Sequence, residues 1–243
     1  MNVLNKGLRR RILEKGCEMN NGHFGSALSC LDCIKYLYDN VLRKDLDIFI
    51  MSKGHGEMAL FSVLESIGKK PDWTIHLDLD EKNGVYATTG SLGHGLAIGL
   101  GRAFAKKLKG EDGKVYVLVG DGEMEEGSIW EALALAKRLE AYNLKVLVDY
   151  NKYQAIGSVK EIGGIDNKSL AEKLNAFGCS VVETDGHTLD GLSKLKQGSG
   201  GLDAFILSTI KGKGVRCLEE NHAHVYYWKN HQEEYSSALE ELK

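Results

Sequence analysis

The chain has 243 residues, enough for one large α/β domain or two small ones. Its 43% hydrophobic and 27% charged content is that of a water-soluble globular protein, and a net charge of −3 creates no field to gather nucleic acid or an anionic membrane surface. Residues 1–15 lack the unbroken apolar core of a secretory signal, no run approaches the ~18 apolar residues of a membrane helix, and five scattered cysteines in a chain too large to need disulfides point to the cytoplasm.

In chain order, the periodicity predicts an opening helix over 4–19, with Leu8, Ile12 and Leu13 as its apolar stripe and Asn20-Asn21-Gly22 as its stop. Arg9-Arg10-Arg11 within it reads as a solvated helix face. A second helix runs to about residue 39. Its Cys30-Leu31-Asp32-Cys33 lies among residues at helical spacing, so the thiols read as buried or half-buried rather than as a redox or zinc pair. Residues 48–51 form a short buried strand that delivers Ser52-Lys53-Gly54-His55 at its tip, and 57–67 are helical. A loop over 71–85 begins at the only proline, Pro71, and carries His76. Gly93-His94-Gly95 opens a helix over 96–109. Its spacing is wrong for a nicotinamide-binding turn, though the helix N-terminus could approach a phosphate.

The central unit follows. Residues 115–119 and 145–148 are short, β-branched apolar runs, as expected of strands buried on both faces. Between them a helix over 128–139 places Ile129, Leu133 and Ala136 on one face, with Ser128 and Glu131 spaced as a capping box. Beyond it come a helix over 169–177, a strand over 180–182, a helix over 189–195, a Gly-Ser-Gly-Gly turn at 198–201 and a last strand over 204–210. The alternation predicts one domain over 1–243, a three-layer α/β/α fold with a mainly parallel sheet.

Such sheets bind ligands beyond the carboxyl ends of their strands. Asp121 follows the first central strand within Gly120-Asp121-Gly122-Glu123, and Asn151 follows the second. A carboxylate, an amide oxygen and a loop carbonyl are hard donors of the kind Mg²⁺ or Ca²⁺ accepts, with phosphate oxygens completing the shell. Gly120 and Gly122 let the backbone approach such a phosphate. A polar strand-end turn would use the same residue types, but the Asn one βαβ unit later favours a clamp for a metal-bound diphosphate.

Gly-Asp-Gly followed about thirty residues later by Asn resembles the thiamine diphosphate motif, and other segments resemble transketolase. Gly22-His23-Phe24-Gly25-Ser26 is similar to that family's first histidine motif and Ser52-Lys53-Gly54-His55-Gly56 to its second. Thr88-Thr89-Gly90-Ser91-Leu92-Gly93 resembles its glycine loop, and Lys211-Gly212-Lys213-Gly214-Val215 its basic loop. The matches occur in family order. The resemblance implies that His23 and His55 face cofactor and substrate, with His76 a third, substrate-side histidine whose neighbours Leu77 and Tyr86 depart from the pattern. It implies Asp121, Asn151 and the Tyr153 carbonyl as metal ligands and Gly122 as a diphosphate contact. Gly90, Ser91 and Leu92 would form the loop over the thiamine ring. Glu126 and Glu131 match acids near the interface between active sites, although Glu131 reads equally well as the capping partner of Ser128. His94 stands where the family has Gln and reads as a helix-start residue. Either His222 or His224, or neither, replaces the family's later histidine.

In that family the Glu that activates the aminopyrimidine lies in a second domain, and this chain ends at Lys243. The resemblance therefore implies the N-terminal subunit of a split, two-chain transketolase. Its partner would be a C-terminal pyrimidine-domain subunit in a hetero-oligomer such as α2β2. Together they would use thiamine diphosphate and Mg²⁺ to move a two-carbon ketol unit between sugar phosphates. Another thiamine enzyme, such as a deoxyxylulose-phosphate synthase or a 2-oxo acid dehydrogenase component, would share the clamp but not the Ser-Lys-Gly-His-Gly motif. A non-catalytic subunit with this fold would not need Asp121, Asn151, His23 and His55 together.

Overall fold

A computed structural model describes residues 3–162, 164 and 166–243. Helix α1 (Lys6–Glu18) buries Arg9, Ile12, Leu13 and Gly16 along one stripe, and Asn20 ends it in the left-handed region at φ 54°. Helix α2 (Phe24–Asn40) follows, buried along most of its length, then strand β1 (Ile48–Met51) and helix α3 (Glu57–Ser66). Helix α4 (His94–Lys109) leads to the central unit of β2 (Val115–Gly120), α5 (Gly127–Arg138) and β3 (Leu144–Tyr150). After it come α6 (Val159–Ile162), α7 (Asn167–Ala176), β4 (Cys179–Asp185), α8 (Leu189–Ser193) and β5 (Leu202–Ser208). Helices α9 (Arg216–Glu220) and α10 (Gln232–Glu241) close the described chain and, like α6, lie beyond the expected elements.

The five strands form one sheet in the order β1-β2-β3-β5-β4, and every pairing is parallel. Alternation along each strand sorts side chains to two faces. Phe49, Met51, Tyr116, Leu118, Leu147, Phe205 and Leu207 pack against the layer that contains α1, α2 and α3. Ile50, Val115, Val117, Val119, Val146, Val148 and Ile206 pack against α4, α5 and α7. This is the expected three-layer α/β/α fold with a parallel sheet.

Close packing sets α4 against the strand tips. Gly95 lies so near β1 that an added Cβ would sit 2.6 Å from the Ser52 Cα. Gly93, just before the helix, has φ 83°.

Two expectations fail for tertiary reasons. Arg9 is not on a solvated face: it is fully buried, pairs with Asp32 at 2.5 Å, and donates to the carbonyls of Leu4, Leu28 and Lys213. Arg9 sits one turn before Ile12 and Leu13, so the apolar stripe carries it inward, and Asp32 of α2 meets its charge. The capping box does not form either. Helix α5 begins at Gly127, which puts Ser128 inside the first turn, and its hydroxyl donates to the Gly93 carbonyl at 3.1 Å. Glu131 is left exposed on the helix surface. The Cys30 and Cys33 thiols are free and buried as expected, and burial pushes Cys30 up to about 12.

Candidate active site

Because the sheet is all parallel, the carboxyl ends of its strands share one rim. β1 presents Ser52, Lys53 and His55, β2 presents Asp121, β3 presents Asn151, and β5 leads to Thr209 and Lys211. Of these, Lys53, His55, Asp121, Asn151 and Lys211 line a cavity of about 480 Å³, together with His23, His76, Gly90, Leu92, Gly122, Tyr153 and His224.

Asp121 and Asn151 are both buried and both face this cavity. One Asp121 oxygen accepts the Gly122 N–H at 2.8 Å and the other the Lys152 N–H at 2.5 Å, which fastens the β2 tip to the β3 tip. Burial pushes the Asp121 carboxyl up from the usual 3.8 to about 7, and the nearby Asp149 adds to the shift. A cation beside it would remove that penalty. The all-oxygen set of carboxylate, amide and loop carbonyl is the kind that holds Mg²⁺ with phosphate oxygens, so the residues present fit a metal-bound diphosphate.

Beneath this pair lies a fully buried network. Lys53 and Asp149 form an ion pair with both side chains shielded from solvent. Burial disfavours both charges, but their mutual attraction outweighs it, holding the lysine above and the aspartate below its ordinary value. Asp149 also accepts from Ser29 at 2.6 Å, Thr209 at 2.5 Å and the Asn151 amide nitrogen at 3.2 Å. The last bond sets the orientation of the Asn151 amide. Its nitrogen turns to Asp149, and its oxygen is left to accept the Tyr153 N–H at 3.0 Å. Asp149 is therefore a positioning residue that the sequence reading missed. A charged residue inside the apolar run of β3 was the available signal.

The expected histidines converge. The His23 ring centroid lies 6.2 Å from His55, 5.4 Å from His76 and 5.3 Å from His224. His76 holds a left-handed backbone at φ 72°, an unusual conformation for a residue with a Cβ. Burial, then Lys53, drives the His55 imidazole well below 6.5, so it is neutral at pH 7. Burial and the neighbouring His23 also lower His224. Of the two later histidines, His224 reaches the cavity. His222 instead stacks on Tyr153 at 3.9 Å, and its carbonyl accepts from Lys211 at 3.0 Å. The Lys211 ammonium lies at the cavity as the one member of the basic loop to reach it, and burial lowers it to about 8.

Two expected contributors stand aside. Ser91 is exposed and does not line the cavity, although Gly90 and Leu92 do. The turn that opens α4 spends its first N–H elsewhere: Gly93 donates to Glu123 at 2.8 Å. Ser52 and Gly120 also donate to this buried carboxylate. His94 begins α4 in an exposed position, as its helix-start reading requires.

Residues 7–224 match the family described as "Transketolase, thiamine diphosphate binding domain". The chain belongs to this family. It is 36% identical over 263 residues to an apulose-4-phosphate transketolase subunit of Actinobacillus succinogenes, spanning 98% of this chain and 94% of that protein. It is 32% identical over 260 residues to the 6-deoxy-6-sulfo-D-fructose transketolase subunit SqwG of a Clostridium species, spanning 97% of this chain and 94% of that one. Among solved structures, transketolase from Campylobacter jejuni superposes with a TM-score of 0.80 at 25% identity. All of this chain aligns there with 43% of the longer one, so it spans less than half the length of that enzyme.

Proposed function

We propose that this chain is the diphosphate-holding subunit of a two-chain transketolase that moves a two-carbon ketol unit from a ketose to an aldose, both as sugar phosphates. The observation that carries the reading is the convergence of Asp121, Asn151 and four histidines on one cavity at the strand tips. Relatives named as transketolase subunits, matching along nearly their whole length, support a separate partner chain. That partner would bring the pyrimidine-binding domain, in an assembly such as α2β2. One sheet with a core on each face supports reading residues 1–243 as a single domain. Five free cysteines and no helix among the described residues long and apolar enough to cross a membrane accord with a cytoplasmic place of work.

In this reading Asp121, Asn151 and the Tyr153 carbonyl would hold Mg²⁺, and the backbone at Gly122 with the Lys211 ammonium would meet the diphosphate. His55, with Gly90 and Leu92, borders the thiazolium end. Thiamine diphosphate, when bound, would supply the electron sink that ketol transfer needs. The chain's own task is to bind, orient and handle protons. His55, neutral at pH 7, can accept or donate a hydrogen bond to a sugar hydroxyl without bringing a charge. His23 and His76 flank the same space and can carry a proton between sugar oxygens and solvent. Lys53 and Asp149, paired with each other, would act by position: Asp149 holds the Asn151 amide nitrogen and so leaves its oxygen to the metal.

Calorimetry of the purified chain with thiamine diphosphate and Mg²⁺, alone and with the product of the neighbouring gene, tests the proposal. Metal-dependent binding with one or both preparations, and ketol transfer by the reconstituted pair, are expected. Failure to bind under both conditions refutes it. Cofactor binding without turnover by the pair would instead favour a non-catalytic subunit.

A further inference from the structure

Behind the histidines stands a carboxylate that the proposed reaction does not use. Glu57 opens α3 directly after Ser52-Lys53-Gly54-His55-Gly56 and is fully buried. One of its oxygens accepts the Asn21 amide N–H at 2.5 Å; the other has no hydrogen-bond partner. A buried carboxylate without a cation is costly, and among the described residues the basic group within ion-pair distance is His23, whose Nδ1 lies 3.8 Å from Oε1. That same His23 Nδ1 is buried and unpartnered, and so is the Nδ1 of His76. Three orphaned polar groups therefore gather in one place. One donor atom from each of His23, Glu57 and His76 lies within 4.8 Å of the others.

We propose that His23, Glu57 and His76 form a second metal site, suited to a borderline transition ion such as Zn²⁺ and separate from the oxygen clamp at Asp121 and Asn151. The donor sets differ in kind. Two imidazoles and one carboxylate suit Zn²⁺, Co²⁺ or Ni²⁺, whereas Mg²⁺ prefers oxygen alone. The spacing also fits. Ligand atoms about 2.1 Å from a tetrahedral zinc lie roughly 3.4 Å from one another, so small rotations of the three side chains close the observed set. Three protein ligands leave a fourth position open toward the cavity. An ion held there gives the three side chains a common partner and offsets the Glu57 charge. If the function proposed above holds, it also withdraws two histidines from the sugar side of the cavity and acts as a brake on turnover.

The test is binding, read without activity. The full chain, stripped with a chelator and saturated with Mg²⁺ to fill the oxygen clamp, is titrated with Zn²⁺ by calorimetry and with Co²⁺ by absorption spectroscopy. One equivalent is expected, with the visible bands of a four-coordinate nitrogen and oxygen site. Glu57→Gln, which keeps the side-chain shape, and His76→Ala, which lies in an irregular loop, are each expected to weaken Zn²⁺ by more than about 100-fold, beyond the loss usual for an outer-shell partner. Asp121→Ala is expected to leave it within about threefold, since that residue is not a ligand of this ion. Any one of four results overturns the site: no stoichiometric binding, unchanged affinity in both Glu57→Gln and His76→Ala, loss in Asp121→Ala, or the charge-transfer band of a cysteine thiolate.

Discussion

Replacing Asp121 with asparagine is expected to stabilise the metal-free protein while destroying its metal-dependent cofactor binding. The carboxyl ionises at about 7 in the fold, against 3.8 ordinarily, because burial and Asp149 oppose its charge. At 1.36 kcal/mol per pH unit, that difference sets about 4 kcal/mol against the folded state once the solution is well above pH 7. The sign follows from proton binding. Between roughly pH 4 and 7 the folded chain holds a proton at Asp121 that the unfolded chain has released, so its stability falls as pH rises and stops falling above 7. Asparagine removes that loss by removing the charge, less about 1–2 kcal/mol because its single amide oxygen can accept only one of the Gly122 and Lys152 N–H groups. Urea unfolding in EDTA should therefore find Asp121→Asn more stable than the parent at pH 8 by roughly 2–3 kcal/mol, allowing for coupling to Asp149. The gap should shrink steadily on going down to pH 5. Calorimetry on the same samples should detect no Mg²⁺-dependent uptake of thiamine diphosphate. A variant no more stable than the parent at pH 8, or a gap independent of pH, would refute the claim that this carboxylate is held at a cost for a cation.

Cofactor affinity in the presence of Mg²⁺ should be greatest between about pH 7 and 8. Below that window it falls about tenfold per pH unit as Asp121 takes up a proton, and above it Lys211 loses its charge. Lys211→Met should erase only the alkaline decline in a pH series of binding isotherms. Lys53→Met leaves Asp149 charged, buried and unpaired, and should cost about 3–5 kcal/mol in urea unfolding. Arg9→Leu does the same to Asp32, with a similar expected loss; a change below about 1 kcal/mol would show that His187, 2.9 Å from Asp32, suffices as its partner. Gly95→Ala should push α4 off the Ser52 backbone and lower the thermal midpoint, at a cost of about 1–3 kcal/mol.

Most strands and helices were legible in the sequence because their signals are local. The apolar runs of β2 and β3 mark strands buried on both faces, and the residues just past them had to lie at a common rim once the sheet was parallel. This is why Asp121 and Asn151 could be expected at one site. His23, His55 and His76 were added by the family resemblance, and the structure places all five at one cavity. Helices α6, α9 and α10 escaped notice. The first is a single four-residue turn, α9 is a five-residue helix without a full stripe, and α10 is largely exposed, with Ala238 its buried member.

Sequence alone determined the alternating order of strands and helices, the parallel sheet they imply, and the positions of the oxygen donors at its edge. Each of those follows from spacing within a few residues. Tertiary structure alone decided which charges meet: Arg9 with Asp32, Lys53 with Asp149, His224 rather than His222 at the cavity, and Ser128 with Gly93 instead of Glu131. A side chain's periodicity states which way it faces. What it finds there depends on segments brought close by packing, and no local pattern encodes that partner.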